Sequence, residues 1–325
     1  MNTLTSGSRP PFEQWFGPQA PDATYGYDLP DLLAVEPCPE PSGFAAHWRA
    51  RYRRALQVDT AAVTTPMGRD GEHELFTVQF TSTDQRQIGG WLALPADGPA
   101  RRAVVQSHGY GGRDGPDDLA LTPGTAVLWP VARGQPSASL APDLPTSPHE
   151  HVLVGIESID TYILGGCVED LWCAATVLLE VAGSVPLGFI GGSFGGGVGA
   201  LALPWDERFR SAALRVPSFG QHDLRLQMPC TGSGESVRTR VAAAPETREV
   251  LRYFDASSAA ARITIPVLTA CALWDPAVPP PGQFAVHNAI PDGTLHVMSA
   301  GHAQYPGDAA ELADWNQRLR QFLGL

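Results

Sequence analysis

The sequence predicts an α/β fold, in which a mostly parallel central sheet carries helices on both faces. The main observation is a series of short apolar runs, each followed by a glycine-rich loop and then an amphipathic helix. Strands buried on both faces are apolar along their whole length, so this alternation is typical of a parallel sheet. The second observation is composition: the chain has 325 residues, 43% hydrophobic and 17% charged. A chain of this length and composition can bury enough apolar surface to form the hydrophobic core of one large domain.

The first elements follow an N-terminal arm. The arm, residues 1–42, is rich in proline, acidic and aromatic residues and is expected to lie extended on the surface of a single domain over residues 43–325. Apolar residues from 44 to 56 recur at helical spacing. Residues 76–80 then alternate in polarity, and an apolar stretch covers 88–94, which predicts two paired strands.

The remaining strands and helices alternate as a parallel sheet requires. Helices are predicted where apolar stripes run from Val168 to Leu179 and from Leu312 to Leu323. The other predicted strands are the apolar runs 103–105, 187–190, 212–216, 267–273 and 295–298.

Two long segments are predicted to lie outside the core. Residues 115–151 and 218–245 are polar or contain prolines and glycines. We expect both to be excursions at the carboxyl edge of the sheet.

Charge and cysteine usage exclude several classes of function. The net charge of −12 repels phosphate backbones and anionic lipids, so neither nucleic acid nor a membrane surface is expected as a partner. The five cysteines are widely spread without a C-x-x-C pair, which predicts reduced and mostly buried thiols. Residues 1–30 contain one basic residue, Arg9, and no continuous apolar core of a secretory signal or membrane span. A cytoplasmic protein is therefore expected.

The segment Gly191–Gly195 carries the sharpest chemical signal. It reads Gly-Gly-Ser-Phe-Gly and fits G-x-S-x-G directly after a predicted strand and before a helix of small residues. The glycines allow a tight turn that exposes the serine hydroxyl. A phosphate-binding loop is the alternative for such a turn, but no lysine follows at the required position and no G-x-G-x-x-G register fits. The pattern predicts Ser193 as a nucleophile.

A serine nucleophile needs a base and an acid that orients the base, here expected in the chain order Ser, Asp or Glu, His. Asp275 directly follows the predicted strand 267–273, and His302 follows the next strand, so both are expected at the carboxyl edge of the sheet. Other histidines and aspartates are less suited to these roles, because they lie within predicted strands, helices, turns or the excursion, or before a strand. They are His222, His287, His296, Asp255 and Asp292.

The developing negative charge of a tetrahedral intermediate requires an oxyanion hole. We predict its donors to be the backbone N–H groups of Phe194 and of Tyr110, which lies in the glycine-rich loop after the strand 103–105. The run His149-Glu150-His151 lacks the H-E-x-x-H spacing of a zinc site. No metal and no cofactor is predicted.

Several motifs together resemble the acetyl xylan esterase and cephalosporin C deacetylase family of α/β-hydrolases. Gln106–Gly115 is similar to the family's first oxyanion loop, residues 133–135 to its R-G-Q signature, and Gly191–Gly197 to its nucleophile turn. The similarity continues from Asp275 through the pair Pro279-Pro280 to Gly301-His302.

The resemblance implies an α/β-hydrolase fold and a serine carboxylesterase that removes short acyl groups, mainly acetyl, from small-molecule esters such as acetylated oligosaccharides. It implies structural roles for Arg133 and Gln135. It also implies a homo-oligomer, a hexameric ring, with the paired strands over residues 76–94 in its contacts.

Three positions depart from that family. Phe194 stands where the family has glutamine, Ala303 where it has glutamate, and Pro136 where glycine is common. Hydrolysis is still expected because residue 194 contributes a main-chain donor, whereas a phenyl ring beside the nucleophile is expected to change the substrate preference. Two alternatives stay open: a thioesterase or acyltransferase with the same three residues, and a binding protein that keeps the scaffold without turnover.

Overall fold

A computed structural model describes residues 10–325, and the first nine residues of the predicted arm lie outside this range. Its strands are β1 (Val63–Asp70), β2 (His73–Thr81), β3 (Gln87–Pro95), β4 (Arg102–Gln106), β5 (Thr125–Pro130), β6 (Leu187–Gly192), β7 (Phe209–Arg215), β8 (Val267–Ala272) and β9 (Gly293–Met298). Its α-helices are α1 (Phe12–Phe16), α2 (Leu29–Leu33), α3 (Phe44–Leu56), α4 (Pro148–His151), α5 (Ile163–Ala182), α6 (Phe194–Ala202), α7 (His222–Arg225), α8 (Gly234–Ala243), α9 (Thr247–Tyr253), α10 (Ala256–Ala260), α11 (Pro280–Ala289) and α12 (Asp308–Leu323).

The strands form one nine-stranded sheet in the order β1-β2-β3-β5-β4-β6-β7-β8-β9. From β5 to β9 along this order all neighbours pair in parallel, whereas β1, β2 and β3 add an antiparallel section at one edge. The predicted α/β class with a mostly parallel sheet is confirmed. The carboxyl ends of β6, β8 and β9 therefore open on the same edge of the sheet.

Both faces of the parallel section are covered, as strands without a polar face require. Neighbouring residues of β4 belong to different buried clusters: Val105 lies in the cluster that contains Trp48 of α3 and Trp172 of α5, whereas Val104 lies in the cluster that contains Trp315 of α12. The amphipathic stripes seen in the sequence thus face the sheet from two sides.

The prediction that residues 115–151 form an excursion is wrong over Thr125–Pro130. These residues are β5, which is buried along its whole length between β3 and β4. The run Thr-Ala-Val-Leu-Trp-Pro is apolar, but it is short and lies between Pro123-Gly124 and a proline-containing loop. A short apolar run bounded by turn residues is consistent with a buried strand, so the signal was present. The prolines and polar residues of the long segment around it favoured a loop instead.

Two further expectations concern thiols and membranes. The cysteines are free, and all except the half-buried Cys230 are buried, as predicted. Among residues 10–325, no helix combines the length and the apolar character needed to cross a bilayer.

A buried ion pair joins the loop after β5 to α5. The guanidinium of Arg133 donates to both carboxylate oxygens of Asp170, at 2.7 Å for the shortest contact, and the backbone N–H of Arg133 donates to the same carboxylate at 3.0 Å. Both side chains are at least 95% buried. Burial lowers the pKa of Arg133, but the neighbouring Asp170 outweighs it, so the pKa lies above its usual value.

We expect Asp170→Asn to lower the free energy of unfolding by about 3–5 kcal/mol, because it removes the buried counter-charge of the guanidinium and leaves only the more distant and half-exposed Asp84 at 3.5 Å. Urea denaturation followed by circular dichroism measures this. Glu157→Gln is the control, since its pair with Arg240 is exposed and such pairs contribute less than about 1 kcal/mol. If the two variants lost the same free energy of unfolding, the conclusion that the buried ion pair stabilises the fold would be contradicted.

Candidate active site

Ser193 lies in the turn between β6 and α6. Its backbone has φ 53° and ψ −115°, a conformation that residues with a side chain rarely adopt. Backbone hydrogen bonds hold the turn: the N–H of Ser193 donates to the carbonyl of Arg215 at 2.8 Å, and the N–H of Ser218 donates to the carbonyl of Ser193 at 3.1 Å. The end of β7 and the loop after it therefore hold both the N–H and the carbonyl group of this strained residue.

The glycines around Ser193 are required by close backbone approach. A Cβ on Gly191 would lie 2.5 Å from the carbonyl oxygen of Gly195, and one on Gly195 would lie 2.7 Å from that of His108. Real Cβ atoms do not approach backbone oxygens so closely. The G-x-S-x-G pattern is thus explained by the space that the turn leaves.

The predicted base and acid lie next to the serine. His302 Nε2 is 2.9 Å from Ser193 Oγ, and His302 Nδ1 is 2.7 Å from Asp275 Oδ2. A carboxylate can only accept, which assigns the proton to Nδ1 and leaves Nε2 free to accept from the hydroxyl. Asp275 is fully buried, whereas the imidazole is 28% exposed. The structure brings together all three side chains that the sequence analysis selected.

The carboxylate of Asp275 is held by its own loop and by α11. Its Oδ1 accepts from the backbone N–H groups of Ala277 and Val278, each at 2.9 Å, and its Oδ2 accepts from Gln283 Nε2 at 2.9 Å. Together with His302 these donors satisfy a buried anion, which would otherwise be costly in free energy. They also leave the carboxylate a single orientation.

Gln283 is a residue that the sequence analysis missed. It is fully buried, and besides its bond to Asp275 its amide donates to the carbonyl of Val278 at 2.7 Å and accepts from the N–H of Ala272 at 2.8 Å. One side chain thus links the end of β8, the Asp275 loop and α11. In the sequence, the one sign of this role is a single amide side chain next to Phe284, among apolar residues of a helix.

The described part of the N-terminal arm also contacts the Asp275 loop. The N–H of Asp275 donates to the carbonyl of Ala23 at 3.0 Å. The ring of Phe16 stacks on Trp274 with centroids 3.8 Å apart, and Trp15 stacks on Tyr305, close to His302 in the chain, at 5.4 Å. The arm therefore covers the outer side of the loops that carry Asp275 and His302.

The two predicted oxyanion donors lie beside each other. The rings of Tyr110 and Phe194 are 4.4 Å apart, and the N–H of Gly195 donates to the carbonyl of His108, which joins the loop after β4 to the nucleophile turn. Within the part of the chain that the structure describes, neither the Tyr110 nor the Phe194 amide donates to another residue. Neither N–H group is therefore used by a hydrogen bond within this range, as the predicted role requires.

The loop after β4 is supported by the R-G-Q segment. Gln135 Oε1 accepts from the N–H of Gly111 at 2.9 Å, and His108 Nε2 accepts from the N–H of Ala132 at 2.9 Å. Burial lowers the pKa of His108 to about 4, so its ring stays neutral and can accept this bond. These contacts agree with a structural role for Gln135, as the ion pair with Asp170 does for Arg133.

The ring of Phe194 is not where the sequence analysis expected it. It is 1% exposed and packs against Tyr110, His108 and Phe219 rather than in the cavity beside Ser193. The expected effect of Phe194 on the substrate preference stays a prediction, and this packing would transmit it through Tyr110, which lines the cavity. As the first residue of α6, its side chain turns back under the oxyanion loop.

The cavity beside Ser193 and His302 has a volume of about 300 Å³. Part of its wall comes from the oxyanion loop and from the predicted excursion over residues 218–245. The residues concerned are Gly109, Tyr110, Ser218, Arg225, Gly232 and Ser233, and Pro148, His149, Ala277 and Val278 also line the cavity.

The histidines that the sequence analysis set aside bond elsewhere. His222 Nε2 lies 3.3 Å from the carbonyl of Phe254, and His287 Nδ1 lies 2.7 Å from Thr269 Oγ1. His151 bridges Tyr110 Oη and the carbonyl of Arg133. No group of three His, Cys, Asp or Glu side chains in the described range is arranged to hold a metal ion.

The sequence model of a family described as acetyl xylan esterase matches residues 35–319. An acetyl xylan esterase from a Paenibacillus species superimposes with a TM-score of 0.79 at 20% identity, covering 90% of this chain and 100% of that one. Acetyl xylan esterase 1 from a Thermoanaerobacterium species gives 0.76 at 19% identity, covering 90% and 99%. At these identities the superpositions show the shared fold.

We expect Gln283→Leu to slow covalent labelling of Ser193 by a fluorophosphonate by roughly 5- to 10-fold, because the lost hydrogen bond of about 1 kcal/mol orients Asp275. Labelling followed by intact mass spectrometry gives the rate. Gln87→Leu, at an exposed position of β3, should label at the wild-type rate. A folded Gln283→Leu protein with an unchanged rate would show that the amide does not position Asp275.

Proposed function

Because the chain belongs to the acetyl xylan esterase family of α/β-hydrolases, as its motifs predict, it is an esterase, and we propose that it acts through a serine nucleophile and a covalent acyl-enzyme. The observation that carries the proposal is the continuous hydrogen-bonded series from Ser193 Oγ through His302 to Asp275. In this proposal Ser193 is the nucleophile, His302 the general base and acid, and Asp275 the residue that orients the imidazole.

Acylation begins when Ser193 Oγ attacks the ester carbonyl carbon while its proton moves to His302 Nε2. The carbonyl π electrons move to the oxygen, and the resulting oxyanion accepts hydrogen bonds from the N–H groups of Tyr110 and Phe194. The intermediate then collapses: the bond to the alcohol oxygen breaks, and His302 returns the proton to that oxygen. Asp275 stays ionised and stabilises the transient imidazolium.

Deacylation repeats these steps with water as the nucleophile. His302 Nε2 takes a proton from the water as it attacks the acyl carbon, and the same two amides stabilise the second oxyanion. Collapse releases the carboxylic acid, and the proton returns to Ser193 Oγ. The imidazole is partly exposed, so water can reach it.

The proposed substrates are small-molecule esters with a short acyl group, chiefly acetyl, including acetylated oligosaccharides. The support is the family, whose description is acetyl xylan esterase, and a cavity of about 300 Å³, the lower end for a ligand site. A thioesterase or acyltransferase would use the same three residues. The aligned hydrogen bonds argue against a scaffold without turnover.

Assembly and location complete the proposal. We propose that the protein is a homo-oligomer. The family resemblance implies a hexameric ring, in which the antiparallel edge of the sheet forms contacts between subunits. Its support is β1, which is exposed along its whole length and includes Val63, 65% exposed, and Met67, 51% exposed. Unpaired edges of this kind favour association. A cytoplasmic location stays a prediction.

We expect Ser193→Ala to abolish covalent labelling by a fluorophosphonate and to reduce hydrolysis of p-nitrophenyl acetate by at least about 10⁴-fold, because the attacking oxygen is removed. Mass spectrometry of the labelled protein and steady-state kinetics measure the two effects. Ser218→Ala, a serine in the same cavity wall, controls for the loss of a hydroxyl. Full labelling of Ser193→Ala would place the nucleophile elsewhere.

We expect the rate to fall by about 10-fold or more between p-nitrophenyl acetate and octanoate, because a small cavity excludes long acyl chains. The measurement is kcat/KM for acetate, butyrate and octanoate esters, with acetylated xylo-oligosaccharides and acetyl thioesters in the same panel. Preference for the octanoate ester would contradict a short acyl pocket, and faster turnover of thioesters would favour the thioesterase.

A further inference from the structure

The cavity beside Ser193 contains a positive charge that the fold does not neutralise. Arg225, at the end of α7, is 6% exposed and lines this cavity. No side chain or carbonyl of residues 10–325 accepts a hydrogen bond from its guanidinium, and its Nε is enclosed without an acceptor. Guanidinium groups remain charged at any physiological pH. Burying one without a partner is costly unless a ligand supplies the counter-charge.

The acidic side chains around Arg225 are engaged elsewhere. Asp223 precedes it by two residues on the same helical turn, so the two side chains point in different directions, and Asp223 pairs with Arg252 at 3.1 Å. Glu235 accepts from Arg238 Nε at 2.9 Å. Asp223 Oδ1 accepts no hydrogen bond within the described residues but lies 3.8 Å from Arg248 Nε. Asp275 bonds to His302. An anionic ligand would supply the counter-charge that these carboxylates do not.

The start of α8 lies against the guanidinium of Arg225. A Cβ on Gly234 would collide with Arg225 Nη2, which shows how closely the end of the side chain approaches this backbone. Gly232 and Ser233, immediately before Gly234, line the same cavity as Ser193. The guanidinium end of the side chain, and not only its backbone, therefore lies at this wall.

The same wall adjoins the loop that carries Asp275. The N–H of Thr231 donates to the carbonyl of Pro276 at 2.7 Å, and a Cβ on Gly232 would lie 2.9 Å from the carbonyl oxygen of Ala277. His302, which bonds to Asp275, returns its proton to the leaving alcohol in the proposed mechanism. This contact with the loop that orients His302 is the reason for assigning Arg225 to the alcohol half of the ester.

We propose that Arg225 binds a carboxylate carried by the alcohol half of the ester, so that the preferred substrates are short acyl esters of anionic alcohols. This inference rests on the proposed esterase function. A planar guanidinium can donate two parallel hydrogen bonds to a carboxylate, a geometry that a hydroxyl group does not match. Neutral acetylated alcohols would leave the buried charge unpaired and bind more weakly.

Kinetics with a matched pair of esters test this proposal. In the wild-type protein we expect a higher kcat/KM for meta-acetoxybenzoate than for meta-acetoxybenzamide, which differ in charge at one group. Arg225→Gln should lower the ratio of the two values by roughly 10- to 100-fold, as loss of a charge-assisted hydrogen bond predicts, and Arg225→Lys should retain part of it. Arg53→Gln removes the same charge on the outer face of α3 and should leave the ratio unchanged.

Binding to Ser193→Ala gives a readout that is independent of turnover. By calorimetry meta-hydroxybenzoate should bind more tightly than meta-hydroxybenzamide, and equal affinities would overturn the proposal. A ratio that is unchanged in Arg225→Gln would also overturn it while leaving the esterase function intact. A preference for monosuccinate over butyrate esters, without one for acetoxybenzoate, would move the carboxylate to the acyl half and likewise overturn it. Absence of all ester hydrolysis in the wild type would instead remove the proposed function.

Discussion

The hydrogen bond between His302 and Asp275 is the constraint on which the arrangement of the site depends. Each residue stands on a loop at the end of its own strand, and the parallel pairing of β8 with β9 brings those ends together. A buried carboxylate needs a donor for each of its lone pairs or it becomes unfavourable. The chain supplies them from the Asp275 loop, from Gln283 and from His302 itself. A single hydrogen bond of 2.7 Å is thus the outcome of packing in three separate segments.

The sequence predicts those parts of the structure whose cause is local. The turn at Ser193 needs glycines within a few residues, and the loops of Asp275 and His302 directly follow apolar strands, so their roles could be inferred from neighbours. Edge strand β1 is exposed along its whole length and has no apolar alternation, and the apolar run of β5 is bounded by prolines and glycine. β1 therefore lacks the pattern that indicates a strand, whereas β5 has the apolar run of a buried strand inside a segment whose prolines favour a loop.

The importance of Gln283 and Arg225 could not be predicted because it depends on what lies around them in three dimensions. A glutamine on a helix is unremarkable until its buried amide is seen to join β8 to Asp275. An arginine is normally solvated, and only packing shows that this one is enclosed without a carboxylate. The departures at Phe194 and Ala303 also acquire a meaning from packing. Phe194 packs against Tyr110, and Ala303 packs against the cluster that contains aromatic side chains of the arm.

The bond from Asp275 to the carbonyl of Ala23 joins the N-terminal arm to the loop after β8, far away in the sequence. Contacts between residues so far apart carry a loop-closure cost that local contacts do not have. During synthesis on a ribosome, the arm precedes the segment that it covers and can bind it only after β8 and β9 have been made. A nascent polypeptide that ends before residue 302 therefore lacks the hydrogen-bonded series of Ser193, His302 and Asp275.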